Sequence, residues 1–196
     1  MRIGLTGGIG SGKSYVCKVF NELGIPTFDS DQSAKAQYLK PQIKSQVIQL
    51  LGNEVYSENK INKEKIASII FNDKEKNDRL LQILSSNIRN EYDEFHKSST
   101  APFTIFESGI IFERKIEHLF DHVICVITND QKTRREKIKQ RSGLTDEQIN
   151  QVIANQLSDE ELKLKSDYCI INDYKSVSEQ CQTIYNSIYD RSKIKH

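Results

Sequence analysis

The alternation of apolar and polar positions predicts a strand, a helix and a second strand at the start of the chain. Ile3 to Thr6 is a short apolar run, typical of a buried strand, and glycines follow it. Apolar residues then recur at helical spacing from Val16 to Leu23, and Gly24 ends the helix. Pro26 to Phe28 predicts the next strand. A strand–helix–strand unit of this length implies a parallel sheet with a right-handed crossover.

Helical periodicity replaces the strand pattern from residue 32 to residue 100. Helices are predicted over Pro41 to Leu51, over Asn62 to Asn72, and from Asn72 or Asp73 onward. The last helix has an apolar face with a member at every third or fourth position: Leu81, Leu84, Ile88, Tyr92 and Phe95. We therefore expect this stretch to be a mainly helical insertion.

The strand pattern returns after Pro102. Strands are predicted over Phe103 to Phe106, Val123 to Thr128 and Tyr168 to Ile171. An amphipathic pattern from Val177 to Ile188 then predicts a final helix that packs on the sheet.

Residues Gly7 to Ser14 match G-x-x-x-x-G-K-[ST], the pattern of a phosphate-binding loop between a strand and a helix. Glycines let successive N–H groups turn toward phosphate oxygens, and the helix adds its positive N-terminal end. Lys13 is expected to reach the β- and γ-phosphates, and the Ser14 hydroxyl to ligate Mg²⁺. The predicted ligand is ATP with Mg²⁺. Its expected contacts are Gly8, Ile9, Gly10, Ser11, Gly12, Lys13, Ser14 and Tyr15.

Two aspartates, Asp29 and Asp31, follow the second predicted strand. Ligands of open parallel sheets bind outside the carboxyl ends of the strands, so both carboxylates are expected on the side of the phosphate loop. One can orient an attacking hydroxyl and accept its proton, while the other can hold metal-bound water or a backbone turn. The alternative is an Asx turn that caps the following helix.

A basic cluster lies late in the chain. Its members are six of ten consecutive residues: Lys132, Arg134, Arg135, Lys137, Lys139 and Arg141. Arg134, Lys137 and Arg141 share one helical face, and Thr145 with Gln148 predicts a new helix start. Because arginine suits planar contacts with phosphate, we interpret this helical pair as a lid that closes over phosphates. A solvated helix face is the alternative.

Together these patterns predict an α/β fold, a P-loop NTPase-type parallel sheet flanked by helices, with a mainly helical insertion and a helical lid. The nucleotide-binding core is expected to comprise residues 1–31 and 101–196, with the lid at about 130–157, and the insertion to comprise residues 32–100.

Composition excludes some partners. The chain of 196 residues has 28 basic and 27 acidic residues and a net charge of +1, which gives no case for nucleic acid or a membrane surface. No run approaches about 18 consecutive apolar residues, and no signal region is visible, so a cytoplasmic protein is expected.

The cysteines have no spacing typical of a zinc or redox centre and are expected to be buried reduced thiols: Cys17, Cys125, Cys169 and Cys181.

The string Leu5 to Ser14, with Leu23-Gly24 and then Phe28 to Asp31, closely resembles the dephospho-coenzyme A kinase family. The resemblance covers essentially the whole chain and includes four further segments: Ile110 to Glu113, Gln140-Arg141, Ala154 to Gln156 and Asp167 to Asn172. The chain departs from the family pattern at Ser85-Ser86, Glu107 and Gly109.

The resemblance implies ATP-dependent phosphorylation of the ribose 3′-hydroxyl of dephospho-coenzyme A (dephospho-CoA), the last step of coenzyme A synthesis. By position, Asp31 matches the family's proposed catalytic base and Arg141 its lid arginine, and with Lys13 they are the expected catalytic residues. The insertion then corresponds to the acceptor-binding part. Asp29 and Glu107 remain candidates to assist the metal. The alternative function is another small-molecule P-loop kinase that acts on a nucleoside or nucleoside monophosphate.

Overall fold

The chain folds into two compact units. The first contains Met1–Phe28 together with the chain from Ser98 onward, and the second is Asp29–Lys97. The structure is a computed structural model that describes residues 1–57, 60–71 and 73–194. No helix within these ranges combines the length and the apolar character that crossing a membrane requires.

Strands and helices alternate in the first unit, whereas helices dominate the second. The strands are β1 (Arg2–Thr6), β2 (Thr27–Asp29), β3 (Tyr56–Ser57), β4 (Lys60–Ile61), β5 (Thr104–Glu107), β6 (His122–Ile127) and β7 (Tyr168–Ile171). The helices are α1 (Lys13–Glu22), α2 (Ser30–Gln37), α3 (Pro41–Leu51), α4 (Lys63–Phe71), α5 (Lys74–Ser98), α6 (Gln131–Ser142), α7 (Asp146–Ala154), α8 (Asp159–Lys165) and α9 (Val177–Ile194).

A five-stranded sheet with the order β2-β5-β1-β6-β7 forms the centre of the first unit. Strand β1 pairs in parallel with β5 on one side and with β6 on the other, and β6 pairs in parallel with β7. The five strands predicted for this sheet are confirmed to within one residue at each end. Because parallel strands end at the same edge, the residues that follow β1, β5, β6 and β7 meet at the carboxyl edge of the sheet.

Helices cover the sheet of the first unit. Ile3, Leu5 and Ile124 pack with the buried faces of α1 and α9, and the apolar positions predicted for those helices are confirmed. Cys125 and Ile127 belong instead to a smaller cluster with α8. Successive side chains of β6 point to opposite faces of the sheet, so alternate residues of this strand belong to two different apolar clusters. The predicted α/β fold, a parallel sheet flanked by helices, is confirmed.

The core of the second unit corrects one prediction about α5. Leu80, which is 2% exposed, lies in this core with Leu84, whereas Leu81 is only half-buried. Adjacent leucines fit the same helical periodicity, so spacing alone did not distinguish them. The helix begins at Lys74, where Asp73 Oδ1 accepts a hydrogen bond from the Lys76 N–H at 3.0 Å. The other predicted starting residue, Asn72, lies outside the described residues.

A short antiparallel hairpin in the second unit also departs from the predicted helical pattern. Strands β3 and β4 pair Tyr56 with Ile61 and Ser57 with Lys60. Two-residue strands are too short for polar–apolar alternation to be visible in sequence. The region is otherwise helical, and α3 has the predicted bounds.

A partly buried polar cluster fixes α2 within the second unit. Ser33 Oγ donates to Glu91 Oε2 at 2.6 Å, and Gln37 Nε2 donates to the same oxygen at 2.5 Å. Lys40 Nζ lies 3.4 Å from it. Because a carboxylate accepts charge-assisted hydrogen bonds, this cluster ties α2 and its C-terminal flank to α5.

Candidate phosphate-binding site

The candidate site is the glycine loop that connects β1, the central strand, to α1. Gly10 has φ 74° and Gly12 has φ 97°, values that favour glycine. Gly12 precedes the first turn of α1, and no side chain caps that helix. The N-terminus of α1 is therefore left without a side-chain cap, which is the kind of helix N-terminus that binds phosphate.

Lys13 folds back over the loop. Its Nζ donates to Gly7 O at 2.9 Å and to Gly8 O at 3.4 Å. The same atom lies 4.0 Å from Glu107 Oε1 at the end of β5, and both side chains are largely buried. A cation and a carboxylate thus lie side by side where β1 and β5 reach the carboxyl edge.

Two side chains from distant parts of the sequence hold Ile9 at the top of the loop. Arg134, which is 7% exposed, donates through Nε to Ile9 O at 2.8 Å. Gln156 Oε1 accepts from the Ile9 N–H at 2.8 Å, and Gln156 Nε2 donates to Gly109 O at 3.5 Å. Arg134 also forms an ion pair with Asp159 at 3.3 Å. Both backbone polar groups of Ile9 are therefore satisfied by side chains.

Asn172 holds the other end of the loop. This residue directly follows β7, is 2% exposed and donates through Nδ2 to Ser11 O at 2.9 Å. A Cβ at Gly12 would overlap the same Nδ2 atom. The missing Cβ at Gly12 therefore allows the Asn172 amide to approach the loop.

Sequence reasoning missed Asn172 and Gln156 as functional parts of the site, and it assigned Arg134 to the lid and not to a brace on the loop. Asn172 had a usable signal, since it is the first residue after a predicted strand and so belongs to the carboxyl edge. Gln156 had none beyond the resemblance of its segment to the family.

The basic residues predicted to share a lid face have three different environments. Arg134 is buried against Ile9 and Asp159, so its guanidinium braces the loop. Lys137 Nζ lies 3.6 Å from the centre of the Tyr174 ring, a cation–π contact. Arg141 is exposed in the last turn of α6. The predicted capping box of Thr145 and Gln148 is confirmed, and it begins α7.

Two partly exposed tyrosines lie beside the start of α1. The rings of Tyr15 and Tyr174 are tilted, with centroids 5.8 Å apart. Tyr174 has φ 62°, and its N–H donates to Asn172 Oδ1 at 3.3 Å. Asn172 therefore links the phosphate loop to an aromatic group that also contacts Lys137.

The two predicted aspartates belong to the second unit and differ in role within it. Asp29 Oδ1 accepts from the Gln32 N–H at 2.8 Å and is the N-cap of α2. The Asx-turn alternative is thus confirmed for Asp29. Asp31 is exposed in the first turn of α2, where a carboxylate is stabilised by the helix dipole.

The oxygen donors around the loop fit a magnesium–phosphate ligand. Ser14 is exposed in the first turn of α1, and the buried Ser11 hydroxyl has no hydrogen-bond partner. Among the residues that the structure describes, no group of three or more His, Cys, Asp or Glu side chains is arranged to hold a metal. In phosphate-binding loops, magnesium takes the hydroxyl of the loop serine or threonine together with phosphate oxygens and water. The exposed Ser14 hydroxyl fits that role.

Comparisons with known proteins agree on one family. A family model described as dephospho-CoA kinase matches residues 1–178 of this chain. A dephospho-CoA kinase from Fusobacterium nucleatum is 34% identical over 191 residues, which cover 94% of this chain and 98% of the relative.

Solved structures share the fold. A protein from Thermus thermophilus has a TM-score of 0.84 at 23% identity, covering 95% of this chain and 96% of its own. The dephospho-CoA kinase from Campylobacter jejuni has a TM-score of 0.67 at 22% identity, with coverages of 96% and 97%.

Gly12→Ala should impair nucleotide binding, because its Cβ would displace the Asn172 amide and distort the N–H groups that face phosphate. Lost charge-assisted hydrogen bonds predict ATP affinity at least about tenfold weaker by calorimetry.

Gly24→Ala is the matched control, since Gly24 also has positive φ but a Cβ there meets open space. It should lower the free energy of unfolding by about 1–2 kcal/mol and leave ATP affinity unchanged. Equal losses of affinity in both variants would contradict the assignment.

Proposed function

The chain belongs to the dephospho-CoA kinase family, and on this basis we propose that it transfers the γ-phosphoryl group of ATP to the 3′-hydroxyl of the dephospho-CoA ribose. The observation that carries the proposal is the braced glycine loop, with Lys13 over it, at the carboxyl end of the central strand. The loop supplies N–H groups and the helix dipole, and Lys13 supplies a charge that can follow the β- and γ-phosphates.

Magnesium binding is assigned to Ser14, with Glu107 as a further oxygen donor at the same edge. Glu107 Oε1 lies 4.0 Å from Lys13 Nζ, so a carboxylate lies beside the loop. This position supports Glu107 as a ligand. When bound, the ion neutralises charge on the β- and γ-phosphate oxygens. The Ser14 hydroxyl orients it from the first turn of α1, while Lys13 holds the phosphate chain.

The second unit is the proposed acceptor-binding part, with Asp31 as the base. Asp31 is exposed on α2, so its carboxylate is accessible to a hydroxyl group. The Asp29 cap fixes the first turn of α2, and the Glu91 cluster fixes the following turns. An Asp31 carboxylate that is held in this way can orient the ribose hydroxyl and accept its proton as the bond to phosphorus forms.

Helices α6 and α7 form the proposed lid. Gly143 joins them with φ 67°, and nothing lies within 4 Å of a Cβ added there. Arg141 is exposed next to this junction and can approach the transferring phosphoryl group when the helices close. Closure of this kind excludes water, which would otherwise compete with the ribose hydroxyl for the phosphoryl group.

Tyr174 is the proposed stacking surface for the adenine base. Tyr15 directly follows the last residue of the phosphate loop, so a nucleoside attached to phosphates in that loop emerges near the Tyr15–Tyr174 pair. A purine can stack on an aromatic ring, and since Lys137 Nζ covers one face of the Tyr174 ring, the base would stack on the other face.

Acceptor choice is tested by coupled ADP release with equal concentrations of dephospho-CoA, adenosine, cytidine, shikimate and nucleoside monophosphates. We expect turnover with dephospho-CoA well above that with every other acceptor. Lys13→Ala should abolish turnover with all of them, because the γ-phosphate loses its cation, and it serves as the background control. Higher turnover with a nucleoside or nucleoside monophosphate would establish the alternative kinase instead.

Asp31→Asn tests the base while preserving side-chain shape. We expect kcat to fall about 10²-fold, because phosphoryl transfer depends more on positioning and charge than on proton removal. ATP affinity should hardly change. Asp29→Asn is the control, since asparagine also caps helices well, and it should retain near-normal kcat and stability. If Asp29→Asn lost kcat while Asp31→Asn kept it, the two roles would be reversed.

Tyr174→Leu removes the proposed stacking ring and should weaken ATP binding about tenfold in calorimetry, since base–aromatic stacking contributes about 1–3 kcal/mol. Tyr174→Phe keeps the ring and should bind ATP like the parent protein. Inorganic tripolyphosphate, which has no base, should bind all three proteins equally. An equal loss of tripolyphosphate affinity in Tyr174→Leu would show that the ring supports the loop and not the base.

A further inference from the structure

The fold brings two cysteines together that are distant in sequence. Cys125 on β6 and Cys169 on β7 are direct partners in the parallel ladder. Both lie in the cluster that packs with Leu162 of α8. Each thiol shifts the pKa of the other, which places the two side chains within interaction distance. Neighbouring strands lie about 4.8 Å apart, which is within the range of Cα separations that a disulfide spans.

The two thiols differ in a way that suits a reactive and a resolving partner. Cys169 is half-buried, while Cys125 has no exposed surface. The neighbouring Cys125 thiol, together with the nearby Lys163 ammonium, lowers the pKa of Cys169 to about 7, although burial and the Asp159 carboxylate oppose this shift. The neighbouring Cys169 side chain and burial raise the pKa of Cys125 well above its ordinary value. A thiolate at Cys169 is the form that reacts with oxidants.

The other two cysteines provide an internal comparison. Cys17 and Cys181 are buried in the core that α1 and α9 form with the sheet. Burial raises the pKa of Cys181 to about 12, so its thiolate is scarce at neutral pH. The fold thus makes one thiol of this chain more reactive than Cys181 and places a second thiol against it.

We propose that Cys125 and Cys169 form a reversible redox pair that closes to a disulfide with a peroxide and thereby weakens ATP binding. The Cys169 thiolate attacks one peroxide oxygen, the O–O bond breaks, and a sulfenic acid and a hydroxide form. Cys125 sulfur then attacks the Cys169 sulfur, and the sulfenic oxygen leaves as water with the Cys125 proton. Overall, two thiols lose two electrons and two protons, and hydrogen peroxide becomes two waters.

A short series of contacts connects this pair to the phosphate loop. Asp159, whose carboxylate acts on the Cys169 pKa, begins α8 and forms the ion pair with Arg134 at 3.3 Å. Arg134 in turn holds Ile9 O. Disulfide closure brings the two sulfurs to about 2.05 Å. This change beneath α8 alters the packing of Leu162 and moves Asp159, so that the Arg134 brace on the loop weakens.

The test treats the fully reduced, full-length protein with hydrogen peroxide and maps disulfides by mass spectrometry of non-reduced peptides. We expect one intramolecular disulfide between Cys125 and Cys169, with Cys17 and Cys181 still reduced. Calorimetry on the same sample should give ATP affinity about fivefold weaker or more, a usual size of coupling between sites, with recovery after dithiothreitol.

Variants separate the reactive thiol from its partner. Cys169→Ser should resist low peroxide and keep its ATP affinity, whereas Cys125→Ser should accumulate a sulfenic acid at Cys169 that a dimedone reagent traps. Cys181→Ser is the matched control and should behave like the parent protein.

Oxidation first at Cys17 or Cys181, or no disulfide in the parent protein, would overturn the redox pair. A disulfide that leaves ATP affinity unchanged would overturn its coupling to the loop. The mapping does not depend on which acceptor the kinase uses.

Discussion

The phosphate loop depends on glycines that pack where no Cβ has room. At Gly10 a Cβ would lie 2.7 Å from Ile138 of α6, and at Gly12 it would overlap the Asn172 amide. The close approach of these neighbours fixes the loop from outside. Since the loop starts at the central strand, Asn172, which directly follows β7, can support it at the same edge of the sheet. The remaining parts of the site are arranged around this close packing.

Local sequence patterns predicted the parts of the fold that local interactions determine. Apolar runs identified the strands of the main sheet, and the glycine string identified the loop. The choice of Leu80 over Leu81 and the short hairpin at Tyr56 to Ile61 were not predicted, because neighbouring leucines share a periodicity and a two-residue strand has too few positions. Arg134, Gln156 and Asn172 reach the loop from more than a hundred residues away, so only the tertiary structure identifies their partners.

Charge in the site is organised in pairs. Lys13 contacts two carbonyl oxygens and lies near Glu107, and Arg134 contacts a carbonyl oxygen and Asp159. Removing a charge from water costs free energy unless an opposite charge lies beside it. This explains why a carboxylate accompanies each of the two largely buried cations at the phosphate loop.

The double attachment of Ile9 sets a fixed axis for the helical pair that follows β6. Arg134 lies near the start of α6, and Gln156 lies just after the end of α7. The first end of α6 and the last end of α7 are therefore both hydrogen-bonded to the backbone of Ile9. When two helices are held at one end and turn about it, the opposite end moves furthest. Here the far end is the junction at Gly143, with Arg141 beside it. In the proposed lid, Arg141 therefore has the longest path on closure, while the contacts of Arg134 and Gln156 hold the Ile9 backbone in place.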